Sequence, residues 1–148
     1  GQVIAVKGAA LLNSIDMPSG LLFLGFILIC AFINLMIGSA SAQWAVTAPI
    51  FVPMLMLAGY APETIQAAYR IGDSVTNIIT PMMSYFGLIL AVATKYKKDT
   101  GIGTMISMML PYSVIFLIGW SLLFYLWVFV FNLPVGPGSP TYYSPTAG

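Results

Sequence analysis

The chain has 148 residues, 59% hydrophobic and only 6% charged, with a net charge of +1 and a mean hydropathy of +0.96. Soluble domains carry roughly 25% charged residues, so this composition does not fit a water-covered globule, and no basic stripe is present to serve a nucleic acid. With no histidine and a single cysteine, Cys30 in FILICAFI, the chain has no disulfide framework or Cys-based zinc site and lacks the commonest metal ligand and general base; Cys30 reads as packing.

Residues 1–13 set Val3, Ile4, Val6, Leu11 and Leu12 around Lys7. The segment is too short to cross about 30 Å of hydrocarbon and reads as the end of a preceding helix or an interfacial one. It lacks the n-region, h-region and cleavage-site order of a signal peptide. It also lacks an initiator Met, so the chain is expected to begin inside a larger protein. NSIDMPSG (13–20) reads as a loop by its Pro, Gly, Ser and Asp content.

Leu21 to Gly38 is an apolar run with one polar side chain, Asn34; at about 1.5 Å per residue its reach is roughly 27 Å, enough to span or nearly so. GSASAQ and Trp44 follow, then a shorter apolar run to Leu57 that contains Pro49 and Pro53. Two readings compete: two spans joined by a tight turn at the membrane surface, or a re-entrant hairpin whose tip stops midway. A tip without charge and rich in Ser and Gly suits a buried polar cavity better than a headgroup region.

AGYAPET (58–64) is a turn that leads into a helix with Pro62 near its first position. In ETIQAAYRIGDSVTN, Gln66, Arg70, Asp73 and Asn77 fall on one helix face, while Ile65, Ala68, Ile71 and Val75 lie away from it. DSVTNIITP breaks that helix, because Pro81 has no N–H and disfavours helix at Thr80. A second half resumes at Met82 to Thr94. Lys95, Lys97 and Lys98 place the next loop on the cytoplasmic side. Ile102 to Leu133 is a last span with Pro111 near its start; Trp120, Tyr125 and Trp127 approach an aromatic belt at its outer end. The Pro/Gly-rich tail, 134–148, reads as irregular.

The chemistry gathers at the two interruptions, an arrangement used for substrate sites in secondary transporters. Arg70 and Asp73 form an ion pair at a depth where ionisable groups are functional by default; the competing explanation is a pair that only fixes helix packing. Arg70 suits a bidentate grip on a substrate carboxylate, and Asp73 suits a coupling proton or a Na⁺ ligand. Ser39, Ser41, Ser74, Thr76, Asn77 and Thr80 offer oxygens to a cation or an anionic group, or else join helices. Asn34 is placed to face the same cavity. Trp44 near midplane suits stacking on an aromatic ring as well as it suits packing. The nine methionines read as core filler. Nothing in the sequence supports an enzyme: GIGTM (101–105) is a helix-start turn and no triad or phosphate loop is present.

At these residues the sequence resembles the p-aminobenzoyl-glutamate transporter (AbgT) family. GSASAQWAVTAPIFVPM, GYAPETIQAAYRIGDSVTNIITPMM and NLPVGPG carry the resemblance, with the whole chain corresponding to the C-terminal third of a longer protein. It implies an all-α integral membrane protein of the ion-transporter-type inverted-repeat fold, a homodimer in the bacterial inner membrane with many passes. This chain would supply the preceding helix end and loop (1–20), the second re-entrant hairpin (21–58), the second broken helix (62–97), the last span (102–133) and the tail. The family's functional positions are matched by Asn34, Ser41, Trp44, Pro62, Arg70, Asp73 and Pro81, with Asp73 the position tied to proton or sodium coupling; a Na⁺ ion is expected near Asn34 and Asp73, and no other cofactor. Two roles follow from the resemblance: gradient-coupled movement of p-aminobenzoyl-glutamate, an aryl carboxylate and folate catabolite, or proton-driven efflux of sulfonamide antimetabolites. A cation channel with Ser/Thr/Asn clusters as its filter and a non-transporting scaffold are the alternatives.

Overall fold

The computed structural model describes residues 2–15 and 19–142. Among them the order is α1 (Gln2–Ile15), α2 (Ser19–Ile37), α3 (Ala40–Leu57), α4 (Pro62–Thr76), α5 (Phe86–Tyr96) and α6 (Ile102–Tyr125), which runs into a π-helical turn at Leu126–Val130. No strand occurs among the described residues, only an isolated bridge between Tyr60 and Tyr142. Three helical stretches, Gly20–Ile37, Ala40–Leu57 and Ile102–Val130, are long and apolar enough to cross a membrane.

Several boundaries differ from the sequence expectation. α1 continues to Ile15 and α2 starts at Ser19, so helix takes up most of the expected loop at 13–20; its residues 16–18 lie outside the described residues. Asn and Ser near a helix end cost only up to about 0.7 kcal/mol each relative to Ala, too little to stop the helix. The GSASAQ interruption shrinks to Gly38 and Ser39, and Ala40 to Gln43 form the first turn of α3. Only Gly38 has a left-handed backbone there, with φ of 65°, a conformation that glycine adopts without strain. α5 resumes at Phe86 rather than Met82. Pro81 supplies no amide, and the Met82 amide is taken by the Thr80 hydroxyl at 3.3 Å, so helical bonding restarts later. α6 runs through Pro111.

α4 is the helix the others pack around. It begins with Pro62 at its first turn and Ala61 in the cap position, where a missing N–H costs nothing. Its apolar face, Ile65, Ala68, Ile71 and Val75, is buried against Phe23, Phe26, Ile27 and Cys30 of α2, with Leu55, Phe124 and Val128 completing the cluster. α2 lies along α4, α6 packs on α4 from another side, and α1 packs on α3. Many large apolar side chains stay exposed, among them Leu28 and Phe32 of α2 and Ile115 and Ile118 of α6. Lipid is as apolar as leucine, so such faces cost little in a bilayer, and helices there are held by close packing and hydrogen bonds.

α2 and α4 approach closely at Gly72. A Cβ there would lie 2.7 Å from the Ile27 carbonyl oxygen and 3.0 Å from the Ala31 nitrogen, both backbone atoms. Gly72→Ala is therefore expected to lower the thermal midpoint of the full-length protein in detergent, by the equivalent of about 1–3 kcal/mol of overpacking. Gly87→Ala in α5, where an added Cβ meets nothing within 4 Å, should not lower it. Equal midpoints for the two variants would show slack at the crossing.

Residues 134–142 of the tail are more ordered than their composition suggests; 143–148 lie outside the described residues. Residues 134–142 return to the start of α4, where the Ala61 amide donates to the Thr141 carbonyl at 3.1 Å and the Thr64 hydroxyl donates to the same oxygen at 3.3 Å. Pro140 and Thr141 thus accept from groups at a helix N-terminus, where donors are in surplus.

Candidate functional site

Each chain interruption leaves backbone carbonyls without helical partners, and the two interruptions supply donors to one another. The buried Asn34 amide, in the last turn of α2, donates through Nδ2 toward the Asp73 carbonyl (2.9 Å), the Thr76 hydroxyl oxygen (2.8 Å) and Asn77 Oδ1 (2.9 Å). In return the Thr80 hydroxyl, from the broken stretch after α4, donates to the Leu35 carbonyl at the end of α2 (3.0 Å). Thr76 passes its own proton back to the Gly72 carbonyl (3.0 Å). A third helix joins in: the buried Ser113 hydroxyl of α6 donates to the Val75 carbonyl at 2.6 Å. Gly38 seals the junction, because a Cβ on it would lie 2.7 Å from the Met82 carbonyl oxygen.

Asp73 sits in this junction, on the last turn of α4. Its side chain is 4% exposed, and Oδ2 pairs with Arg70 Nη1 at 3.3 Å; Arg70 itself is 62% exposed. Asp73 Oδ1 and the neighbouring Asn34 Oδ1 are buried with no partner. The negative end of the α4 dipole falls in the same place. Two buried acceptors without a partner, one of them a carboxylate oxygen, thus lie together at a helix C-terminus. No group of three or more Cys, Asp or Glu that could hold a metal forms among the described residues.

Arg70, Asp73, Ser74 and Asn77 border a cavity of about 770 Å³, together with Trp120, Leu123 and Phe124 of α6 and Trp127 of the π-helical turn that follows it. A smaller hollow of about 300 Å³ continues along the stripe past Gln66 and Glu63 to Ser139. The expected stripe is thus split: Gln66 and Arg70 are exposed, Asn77 is half-buried and Asp73 is buried.

The structure brings together Asn34, Arg70, Asp73 and Asn77. Trp44 packs its ring on Tyr69, with centroids 4.7 Å apart, and does not border the large cavity. Ser41 is exposed on the first turn of α3 and Pro81 is exposed in the break, while Pro62 starts α4. Sequence reasoning missed Tyr69, whose hydroxyl donates to the Ala40 carbonyl at 2.6 Å and ties α4 to the start of α3. It also missed Gln43, fully buried and donating to the Cys30 carbonyl at 2.7 Å. Gln43 carried a signal, being the one amide in GSASAQ; Ser113, one of three serines in an apolar helix, carried none.

The sequence pattern of the AbgT putative transporter family matches residues 1–143. The chain is 40% identical to the p-aminobenzoyl-glutamate transport protein of Escherichia coli (strain K12) over 138 residues, which is 93% of this chain and 27% of that protein. Its structure is similar to the Alcanivorax borkumensis YdaH transporter, with a TM-score of 0.86 and 56% identity, covering 92% of this chain and 29% of that one. It is also similar to Neisseria gonorrhoeae MtrF, described within a class of antimetabolite efflux pumps, with a TM-score of 0.81 and 78% identity, covering 94% and 28%. The chain therefore spans somewhat over a quarter of the length of these relatives.

Proposed function

The chain belongs to the AbgT transporter family, and from that premise we propose that it forms one half-site of a secondary active transporter for p-aminobenzoyl-glutamate, coupled to a proton or sodium gradient across the bacterial inner membrane. Its relatives are membrane transporters and efflux pumps, not enzymes. The observation that carries the reading is the buried Asp73, with one carboxylate oxygen on Arg70 and the other unpartnered, in a junction of two broken helices. Such a carboxylate takes up and releases a proton or Na⁺, with Asn34 Oδ1 as the neighbouring ligand. Arg70, beside it and largely exposed, takes the substrate carboxylate, so ion and substrate meet at one residue pair.

Further support comes from the uncharged break at Gly38–Ser39 lying against the break after α4. This fits residues 21–58 as a re-entrant hairpin and 62–97 as a broken membrane helix of an inverted repeat, with 102–133 as the last span. The partners are a small aryl carboxylate, the bilayer and a second copy of the full-length protein.

A second reading, proton-driven export of sulfonamide antimetabolites, is favoured by the higher identity to MtrF than to the Escherichia coli transport protein. Cells that express the full-length protein decide between the two. Gradient-dependent gain of labelled p-aminobenzoyl-glutamate supports import, lowered sulfonamide content supports export, and no change in either removes both substrates. In the same assay Arg70→Gln is expected to raise the KM for p-aminobenzoyl-glutamate about tenfold or more, as the loss of a charge-assisted hydrogen bond worth about 1.5–3 kcal/mol requires. An unchanged KM would remove Arg70 from carboxylate binding.

A further inference from the structure

We propose that the aryl group of the substrate is held on the face of Trp127, in the turn that follows α6, with Trp120 of α6 extending the wall. This rests on the aryl-carboxylate reading of the same cavity. The cavity has two chemically distinct sides. α4 and its cap contribute Arg70, Asp73, Ser74 and Asn77, beside Ala67 and Ile71, while Trp120, Leu123, Phe124 and Trp127 contribute only apolar and aromatic surface. A ligand that fills both has an anionic end and a flat apolar end.

Three observations single out Trp127. It lies in the π-helical turn Leu126–Val130, a local distortion that re-aims side chains and is frequent at functional sites. Its indole Nε1 donates to the Pro134 carbonyl at 2.9 Å, and its own carbonyl accepts the Leu133 amide at 2.9 Å, so ring and backbone are both fixed by the segment that follows. With its only donor engaged outside the cavity, the indole has nothing left to offer a ligand but its π-face and edge. That selects a stacking aromatic ring over a hydrogen-bonding group. Trp120, seven residues earlier, is about two turns away, on the order of 10 Å along the axis, and borders the same cavity. Trp44 packs against Tyr69 and is not among the residues that border this cavity. The Tyr69 hydroxyl, bonded to the Ala40 carbonyl, holds that ring stack at the start of α3.

The test is equilibrium binding to purified full-length transporter in detergent, with labelled p-aminobenzoyl-glutamate as probe. Unlabelled N-acetyl-glutamate, which has the carboxylates and lacks the ring, is the competitor. Trp127→Leu is expected to weaken p-aminobenzoyl-glutamate about tenfold, the loss of one good ring–ring contact, while Trp127→Phe keeps it within about twofold. N-acetyl-glutamate competes equally well in all three proteins, which also reports that the variants are folded. Three results overturn the proposal: aryl affinity unchanged in Trp127→Leu, aryl affinity lost in Trp44→Leu alone, or ringed and ringless compounds weakened together. A wild-type protein that binds N-acetyl-glutamate and ignores the ring overturns it as well. Wild type that binds neither compound instead refutes the substrate reading on which the wall depends.

Discussion

Asp73→Asn is expected to abolish uphill transport by the full-length protein while leaving it folded. The side chain is nearly isosteric, and its partner Arg70 is 62% exposed. Loss of the pair therefore leaves the guanidinium in water, while the buried charge is replaced by a neutral amide that is cheaper to bury. What disappears is the group that gains and loses a charge. A potential of about 100 mV supplies about 2.3 kcal/mol for each charge moved, which supports accumulation of up to roughly fiftyfold; the variant should show none. Exchange of labelled for unlabelled substrate at equal concentrations moves no net ion and should persist. Accumulation by Asp73→Asn at the wild-type level would take the coupling role away from this residue.

Asn34→Leu should be the most damaging substitution for the junction itself. The leucine fits the volume and offers no donor, so the Asp73 carbonyl, the Thr76 hydroxyl oxygen and Asn77 Oδ1 lose the amide that faces them. Two protons serve those three acceptors, and each buried orphan costs about 1–3 kcal/mol, giving on the order of 2–6 kcal/mol. Scanning fluorimetry should show a lower midpoint than for Gly72→Ala, and any folded fraction should need a higher concentration of coupling ion for half-maximal transport. A variant as stable and as ion-sensitive as wild type would mean that the breaks do not depend on each other.

Much of this was legible before the structure. The polar stripe Gln66, Arg70, Asp73, Asn77 stands out because the rest of the chain is so apolar, and Pro62 and Pro81 mark where α4 can start and where helix cannot continue. The register of the stripe also indicates which face of α4 is buried. What the sequence leaves open depends on contacts between segments far apart in the chain. That Thr80 reaches Leu35, that Asn34 reaches Asn77 and that Ser113 reaches Val75 are separations of 38 to 45 residues, with no periodic signature. Trp120 and Trp127 have the composition of an interfacial belt, and only the placement of α6 beside α4 turns them toward the cavity. Trp44 shows the opposite case: its position beside GSASAQ suggests a ligand contact, and the contact the structure shows is with Tyr69. The tail misleads for a similar reason, since Pro- and Gly-rich composition says nothing about the free donors at Ala61 and Thr64 that fix it.

The central claim is that the two breaks form one site where an ion gradient is exchanged for movement of an aryl carboxylate. Its most direct test uses full-length protein in liposomes, with the initial flux of labelled p-aminobenzoyl-glutamate measured against concentration. A Na⁺ gradient, a proton gradient or neither is imposed. The account predicts a flux that saturates and that one of the two gradients drives uphill. A flux that rises linearly with concentration and ignores both gradients would contradict it and identify a channel.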